Sequence, residues 1–411
     1  MKNKLLAAVG AAVTGACVTA AQAAPFTALD ARALGMAGTG VAAGAPHQAA
    51  LYNPALLAAH PDQRFGLMLP SIGVRAADPQ DLFDELDDFQ DRELVERLEA
   101  AVAAAEANPS PTTAEAVQDA ARDLKAGLER LHGRALVADA QAGLGIAVPS
   151  QSLGVAVSGH GWASGGGLLS ISEADLALMD QYIDYDGSGA PPPFEGDRDL
   201  QSQVLLRGAV IAELGVSLAR AFSVGGRTIA LGITPKYQNV RTLDYGFQVQ
   251  DEDAEISLSE GERQYSNFNA DLGIATELGG GFLAGAVVKN VISQRYATVE
   301  GNEVTLKPQV RVGLAHRSKW TTLAVDMDLT ENDPLGYDER TRYLALGAEL
   351  NLWNTVQLRG GYRRNLVSTD ISAGDIYAVG LGFSPFGVHL DLGVAGNDSD
   401  VAAALNLGLR F

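Results

Sequence analysis

Alternation of apolar with small or polar residues dominates this chain from about residue 135 to its end. In the last segment, every second position from Val401 to Phe411 is apolar, and the positions between them, from Ala402 to Arg410, are small or polar. A period of two is typical of β-strands that have two different faces. With one earlier stretch included, fourteen segments follow this pattern. They lie near residues 63–75, 135–148, 152–163, 203–222, 227–244, 265–278, 281–297, 304–317, 319–331, 338–350, 354–366, 373–384, 388–395 and 401–411.

The connections between these segments alternate in length. Long acidic connections at 76–134, 164–202 and 245–264 all fall on odd-numbered hairpins, which predicts short turns at one rim and long loops at the other. An even number of strands of about ten residues with loops sorted in this way is typical of an outer-membrane barrel. A soluble sandwich has no reason to sort its loops so. The tight turns are centred on Pro149-Ser150, Gly225-Gly226, Gly279-Gly280, Ser318, Trp353 and Pro385-Phe386-Gly387.

The N-terminus has the pattern of an export signal. Lys2 and Lys4 precede an apolar stretch that begins at Leu5, and Ala21-Gln22-Ala23 fits a small-x-small cleavage site. We therefore assign residues 1–23 to a signal peptide, which also contains the only cysteine, Cys17. Beyond it, no apolar run reaches the roughly 18 residues that a spanning helix needs. Insertion into a membrane would therefore use strands.

Charge excludes one class of partner and favours one kind of interior. The chain has 50 acidic and 30 basic residues, a net charge of −20, so nucleic acid is not expected as a partner. Eight charged side chains fall on predicted inward positions. They would be costly in the dry core of a secreted all-β protein, which is the alternative fold, but not in a wet barrel lumen. They are Arg207, Glu213, Asp271, Arg311, Asp326, Glu349, Arg359 and Arg363.

Residues 24–62 precede the first strand and lack regular periodicity. The segment is apolar and rich in small residues, so inside a barrel it would fill the bore, with Gly35, Gly38 and Gly40 letting its backbone approach the wall. Pro54 restricts Asn53 to extended or turn geometry, and the Asn53 side chain can bond to nearby backbone. The domain prediction is a plug at 24–62 and a barrel at 63–411 with an insertion at 78–134.

The sequence A-R-A-x-G-M-x-G at 31–38, followed by L-Y-N-P-A at 51–55, resembles the N-terminal hatch of the FadL/OMPP1/TodX family of fourteen-stranded outer-membrane barrels. Ala37 departs from this pattern, since the family often has Gly there. The terminal Phe411 resembles the end-residue signal of bacterial outer-membrane proteins. The implied partners are outer-membrane lipid and the barrel-assembly machinery. The motif predicts a plug site made by Gly35, Met36, Gly38, Asn53, Pro54 and Ala55.

The insertion at 78–134 makes the chain similar to the long FadL-like proteins grouped as conjugal-transfer TraF proteins of the plasmid transfer operon type. The FadL resemblance implies passive diffusion of small hydrophobic molecules past a displaced plug. The alternative is a structural or interaction protein of the cell surface, associated with conjugative plasmid transfer, in which the barrel is an anchor. The six histidines form no HExxH, and neither GxSxG nor a phosphate-binding GxxxxGK[ST] occurs, so a non-enzyme is predicted.

Apolar residues recur at helical spacing in the insertion, which predicts a helical hairpin. Residues 78–107 contain eleven acidic residues and only two basic ones, Arg92 and Arg97. Thr112 with Glu115 fits a capping box for the second helix. Two short helices with narrow apolar stripes are marginal alone. They either pack on each other or dock a protein partner.

The loop that begins at Asp184 carries an incomplete calcium-binding pattern. Asp184, Asp186, Ser188 and Glu195 fall at positions 1, 3, 5 and 12 of an EF-hand-like loop. The prolines at 191–193 remove amide donors and resist the helix that should begin there. Two interpretations are open, a flexible Asp/Gly/Pro turn and a Ca²⁺ site; no other cofactor is predicted.

Overall fold

A computed structural model describes residues 30–59, 65–248, 261–367 and 374–410. Within them, fourteen antiparallel strands form one closed barrel, and two more form a small separate sheet. The barrel strands are β1 Gly66–Ala77, β2 Ala135–Val148, β3 Gly154–Ser170, β4 Gln203–Val224, β5 Arg227–Gln248, β6 Glu262–Gly279, β7 Phe282–Lys289, β10 Gln309–Arg317, β11 Thr321–Asp328, β12 Tyr343–Leu352, β13 Val356–Asn365, β14 Ile376–Phe383, β15 Val388–Gly396 and β16 Asp400–Arg410. The small sheet contains β8 Gln294–Ala297 and β9 Glu303–Leu306.

The fourteen-strand barrel prediction is confirmed. Each barrel strand pairs with the next barrel strand in the chain, so that β7 pairs with β10 across the β8–β9 hairpin. The barrel is closed by β1 and β16, with Ile72 opposite Leu405. The predicted segments 281–297 and 304–317 differ from the structure. Strand β7 ends at Lys289, and β10 begins at Gln309, directly opposite Lys289. The residues between these two strands contain the β8–β9 hairpin.

The two rims of the barrel differ as predicted. The six tight turns share one rim, which we call the short-turn rim, and the long connections share the other, the long-loop rim. One connection on the long-loop rim is short, since only residues 397–399 join β15 to β16. Strand lengths are uneven: β4 and β5 have 22 residues each, whereas β7 and β11 have eight.

The inner and outer faces of the wall differ in polarity, as the alternation predicts. Along β16, Val401, Leu405 and Leu407 are exposed on the outside, while Asn406 is buried inside. The eight charged positions predicted to face inward lie on the inner face, where most of them are buried. An apolar outside and a polar inside is the arrangement of a barrel that is surrounded by lipid.

Residues 30–59 lie inside the barrel, nearer the short-turn rim. Three helices of four residues each, joined by tight turns, make up this segment, which we call the plug. Asp30 caps the first helix by accepting a hydrogen bond from the amide of Ala33. The helices are α1 Ala31–Leu34, α2 Ala49–Tyr52 and α3 Leu56–Ala59, with a 3-10 turn at Pro46–Gln48.

The insertion contains three helices where two were predicted, namely α4 Leu82–Asp91, α5 Leu94–Ala107 and α6 Pro111–Leu131. The chain breaks between α4 and α5 at Glu93, which has a left-handed φ of 47°. The third helix is capped by Ser110 with Thr113, two residues earlier than the predicted Thr112 with Glu115, because Pro111 favours the first helical position. The next long connection adds α7 Glu173–Ile183 and α8 Gly196–Asp199.

Helices α4 to α7 share one apolar core with the outer face of the barrel, and we call this unit the cap. Leu86, Leu98 and Leu124 are fully buried in it. The outward-facing residues Leu136 of β2 and Leu206 of β4 belong to the same cluster. The cap therefore packs against the outside of the wall at the long-loop rim. None of the helices in the described ranges has the length and apolarity to cross a membrane.

Candidate functional site

The plug fills a bore that is lined by small apolar side chains. Leu56 and Leu57 of α3 are fully buried in a cluster with inward-facing residues of eight successive strands, β2 to β7, β10 and β11. Each strand contributes one residue, so the lining forms an arc around most of the barrel. The lining residues are Ala147, Ala156, Ala219, Ala230, Ala275, Leu283, Ala315 and Ala324.

Glycines in the wall allow the plug backbone to touch the strands. A Cβ atom added to Gly232 would lie 2.4 Å from the amide nitrogen of Ala55, and one added to Gly361 would lie 2.5 Å from the carbonyl carbon of Met36. Both distances are too short for any side chain, so these positions require glycine. The wall glycines form cross-strand pairs: Gly232 with Gly273, Gly285 with Gly313, Gly347 with Gly361, and Gly380 with Gly393.

The Asn53-Pro54-Ala55 motif joins two parts of the plug to the wall. The side-chain nitrogen Nδ2 of Asn53 donates to the carbonyl oxygens of Val41, at 3.0 Å, and of Ile274 on β6, at 3.1 Å. The Asn53 side-chain oxygen accepts from the amide of Ala55 at 3.0 Å. Asn53 is fully buried, and its side chain hydrogen-bonds to the backbone of three residues.

The four other predicted plug positions have different roles. Gly35 lies against Gly380, where an added Cβ would come within 2.8 Å of the Gly380 Cα, and Met36 is fully buried. Gly38 has a φ of 95°, which side chains rarely adopt. Ala37, the departure from the family pattern, has a φ of 55°, so a glycine there would be unstrained. Gly40 instead packs on the ring of Tyr52 within the plug.

Carboxylates of the wall hold the plug backbone and its arginine. Asp326 of β11 accepts hydrogen bonds from the amides of Gly40, at 2.8 Å, and Val41, at 2.9 Å. Arg32 forms a two-point pair with Glu349 of β12, at 2.9 and 3.1 Å. Such bidentate pairs are directional as well as strong. The two contacts fix the plug to one side of the barrel.

A third polar centre lies within the plug itself. The Asp30 carboxylate accepts hydrogen bonds from the side chains of Gln48, at 2.6 Å, and Tyr52. Asp30 and Gln48 are almost fully buried. Since Asp30 caps α1 and Tyr52 ends α2, these bonds join the first two helices of the plug into one unit.

Charged residues occupy the lumen beyond the plug. Lys236 of β5 lies 3.1 Å from Glu213 of β4 and 3.0 Å from Asp271 of β6, and Arg311 pairs with Asp328 at 2.6 Å. Nearly all of these side chains are buried, where an unpaired charge would be costly, and each of them has a partner of opposite charge. The wall therefore offers an apolar arc on β2 to β11 where α3 of the plug packs, and charged side chains both beside the plug, such as Glu349, and beyond it, such as Lys236.

The acidic loop with the calcium-like pattern forms a turn. The Ser188 amide and hydroxyl donate to Asp186, which holds the pKa of the Asp186 carboxyl below its ordinary value. Glu195 pairs with Arg198 at 2.7 Å, and Asp184 ends α7. No three His, Cys, Asp or Glu side chains come together to hold a metal ion in the described part of the chain. Calcium binding by this loop stays a prediction.

Two further predicted sites have different outcomes. The large apolar side chains of the cap helices are covered by α7, by one another and by the outer wall, so the stripes that suggested a partner site are used internally. Phe411, the predicted assembly signal, lies outside the described residues.

Several contact residues were not anticipated from the sequence. Asp30, Arg32 and Tyr52 lie in the motif region but carried no signal of pairing. The wall glycines did carry one, because glycine within a strand often marks a site where another backbone approaches closely.

Solved structures with a similar fold include a hydrocarbon channel, a toluene transporter and a FadL homologue. The chain resembles the CymD monoaromatic hydrocarbon channel with a TM-score of 0.50 and 11% identity, over 95% of this chain and 99% of that one. It also resembles the Ralstonia pickettii toluene transporter TbuX, with a TM-score of 0.49 and 12% identity over 94% and 99% of the chains. A Pseudomonas aeruginosa FadL homologue gives 0.48 and 12% over 93% and 98%. At such identities the likeness concerns the fold.

Comparison at the level of sequence assigns a family. No curated protein matches the chain. The family described as "F plasmid transfer operon, TraF, protein" matches residues 50–328, which include the Asn-Pro-Ala motif, the cap and strands β1 to β11. The plugged FadL/TodX-like barrel thus belongs to the TraF family of F plasmid transfer operon proteins.

Proposed function

We propose that this protein is a bacterial outer-membrane channel for passive diffusion of small hydrophobic solutes, opened by displacement of the plug. The apolar outside of the closed barrel suits a lipid environment, and the similar solved structures include a toluene transporter and a hydrocarbon channel. The energy source is the solute gradient alone, since the proposal needs no catalytic group. The export signal predicted at residues 1–23 fits this location.

The observation that carries the proposal is the alanine lining around the plug. Eight strands contribute one small or apolar side chain each to the cluster that contains Leu56, Leu57 and other apolar residues of the plug. When the plug leaves, this surface becomes an apolar arc of the bore, while the ion-paired Glu349, Arg359 and Asp391 lie on the remaining wall. An apolar solute can follow this arc without the desolvation of a polar group.

The polar contacts between the plug and the wall are all non-covalent. Asn53 donates to Ile274, Asp326 accepts from Gly40 and Val41, Arg317 donates to Ala43 and Gly44, and Arg32 pairs with Glu349. Each neutral hydrogen bond contributes about 0.5–1.5 kcal/mol net. A solute that competes for the apolar contacts of α3 therefore displaces non-covalent contacts only, although those made by charged groups are stronger than neutral ones.

The test loosens the plug at its motif. In Asn53→Ala with Pro54→Gly, the three hydrogen bonds of Asn53 and the rigid turn are lost, so we expect uptake of a small aromatic hydrocarbon to rise by at least about tenfold. Uptake is measured in proteoliposomes and in cells. The control, Ala50→Ser, changes a less buried residue of α2 and should leave uptake unchanged. Unchanged flux in vesicles containing the loosened variant would exclude the channel function.

Family membership supports a second candidate, a surface protein of conjugative transfer that uses the barrel as an anchor. The cap exposes many acidic side chains, such as Asp84 and Asp87, on its outer surface. In that case deletion of residues 79–133 should abolish partner binding or plasmid transfer while the loosened plug has no effect. For a channel the dependence is reversed, and the deletion should leave basal uptake intact.

A further inference from the structure

A second segment obstructs the lumen at the long-loop rim. Residues 329–342, which we call the strap, connect β11 to β12. At its far end, a Cβ atom on Gly336 would lie 2.7 Å from the carbonyl oxygen of Arg207 on β4 and 3.2 Å from the Cα of Gly165 on β3. The strands β12 and β3 are seven steps apart in the order of the fourteen strands, so they lie on opposite walls. The strap therefore crosses the barrel from wall to wall.

Three contacts hold the far end of the strap. Leu335 is buried against Trp162 and Ala209 of the wall. The ring of Tyr337 lies 5.1 Å from the guanidinium of Arg207. Asp338 pairs with Arg75 of β1, with 2.7 Å between the carboxylate oxygen and the guanidinium nitrogen.

Buried polar side chains of the strap have fewer hydrogen-bond partners than those of the hairpin beside it. The β8–β9 hairpin is tied to Asp244 of β5, which accepts hydrogen bonds from Thr298 at 2.7 Å and Asn302 at 2.8 Å. In the strap, by contrast, the buried hydroxyls of Tyr337 and Thr341 have no hydrogen-bond partner among the described residues. Buried polar groups without partners destabilise the conformation that buries them. These two hydroxyls therefore lower the stability of the crossing position relative to one in which they reach water.

We propose that the strap is a second gate, which acts in series with the plug and is latched by the Asp338–Arg75 ion pair. The two barriers occupy different levels of the lumen and share no residues. The plug closes the alanine-lined half near the short-turn rim, and the strap closes the half near the long-loop rim.

Gates in series make a specific demand on permeation. A continuous water path exists only while both gates are open, so its probability is the product of the two open fractions. Opening either gate alone leaves the barrel closed to ions, and opening both produces a conductance far above the sum. Ion conductance measures the opening of both gates for any cargo. The two gates can therefore be tested separately from hydrocarbon uptake.

The test uses planar-bilayer conductance of four proteins: the wild type, Asp338→Ala, Asn53→Ala with Pro54→Gly, and the triple variant. Loss of Asp338 leaves Arg75 paired with Asp139 at 2.7 Å and Asp400 at 2.9 Å, so the wall keeps its charge compensation. We expect the triple variant to exceed the sum of the other two variants by about tenfold or more. Glu331→Gln, which removes an exposed carboxylate from the same strap, is the matched control and should resemble the wild type.

A reversible lock tests the same gate in one folded molecule. Cysteines at Leu335 and Ala209, which lie in one buried cluster, should cross-link the strap to the wall in the loosened-plug triple variant. Oxidation should abolish the conductance, and reduction should restore it. The proposal is overturned if the triple variant conducts no more than the plug variant, if Asp338→Ala alone conducts as well as the triple variant, or if a verified cross-link leaves the conductance unchanged.

Discussion

At the scale of single residues, the absence of a side chain determines where the plug can lie. Gly360 and Gly361 are neighbours on β13 but face opposite sides of the wall. A Cβ on Gly361 would collide with plug backbone, whereas a Cβ on Gly360 would meet nothing within 4 Å. The two glycines therefore differ in one respect, which is that only Gly361 contacts the plug.

Gly361→Ala should displace the plug, while Gly360→Ala should not. Overpacking at such a contact costs about 1–3 kcal/mol, and the plug is the softer of the two partners because strand pairing holds the wall. We expect faster hydrogen exchange in residues 31–57 of the Gly361 variant, with unchanged migration of the unboiled barrel on gels. Equal exchange in both variants would mean that the plug does not rest on the wall at this point.

At the scale of elements, the cap explains the uneven height of the barrel. The long strands β3, β4 and β5 rise beyond the shorter ones, and part of their outer face is apolar where no lipid is expected. Leu169 of β3 and Val204 of β4 are buried there under the cap. The helical stripes and the tall wall thus cover each other.

The cap should lose stability without loss of the barrel when its core is cut. Leu124 is fully buried in α6, and a Leu→Ala change at such a site costs about 2–5 kcal/mol. We expect Leu124→Ala to make residues 82–131 sensitive to protease at lower temperature, while Glu115→Ala, at an exposed position of the same helix, has no effect. Loss of the heat-modifiable barrel band in the Leu124 variant would show that the cap is needed for the barrel itself.

At the scale of the whole molecule, the outer surface has the dimensions of a membrane band. On β6 the exposed apolar residues begin at Phe268 and end at Leu278, with the polar Gln264 and Ser266 above them. Ten residue steps of about 3.4 Å, tilted by about 40°, span about 26 Å along the barrel axis. Exposed aromatic residues mark the short-turn edge: Phe222, Phe282, Trp320, Trp353, Phe383 and Phe386.

The three tryptophans make this position measurable. Trp320 and Trp353 are exposed at the short-turn rim, and Trp162 is buried inside the barrel. Because aromatic rings at a rim contact the lipid interface, we expect brominated lipids to quench the emission of Trp320 and Trp353. The residual emission of Trp320→Phe with Trp353→Phe, which comes from Trp162, should be largely unaffected. Strong quenching of that residual emission would contradict the assigned inside and outside of the wall.

Most of the barrel follows from local pattern. The period of two places Val401 and Leu405 on one face and Asn406 on the other whatever the strand's neighbours are, and tight-turn residues such as Gly225-Gly226 mark where strands reverse. The helices of the insertion were also recognisable, but the break at Glu93 was not, because no glycine or proline marks the left-handed residue there.

The sequence by itself therefore determined the strands, their two faces and the order of short and long connections, because these depend on residues close together in the chain. Only the tertiary structure decided what fills the barrel. The alanine lining, the paired wall glycines and the strap's contact with Arg75 join residues far apart in the chain, and these residues meet only when fourteen strands close in a single register. Neither the plug nor the strap has a periodic pattern, so nothing local specifies the surfaces they contact.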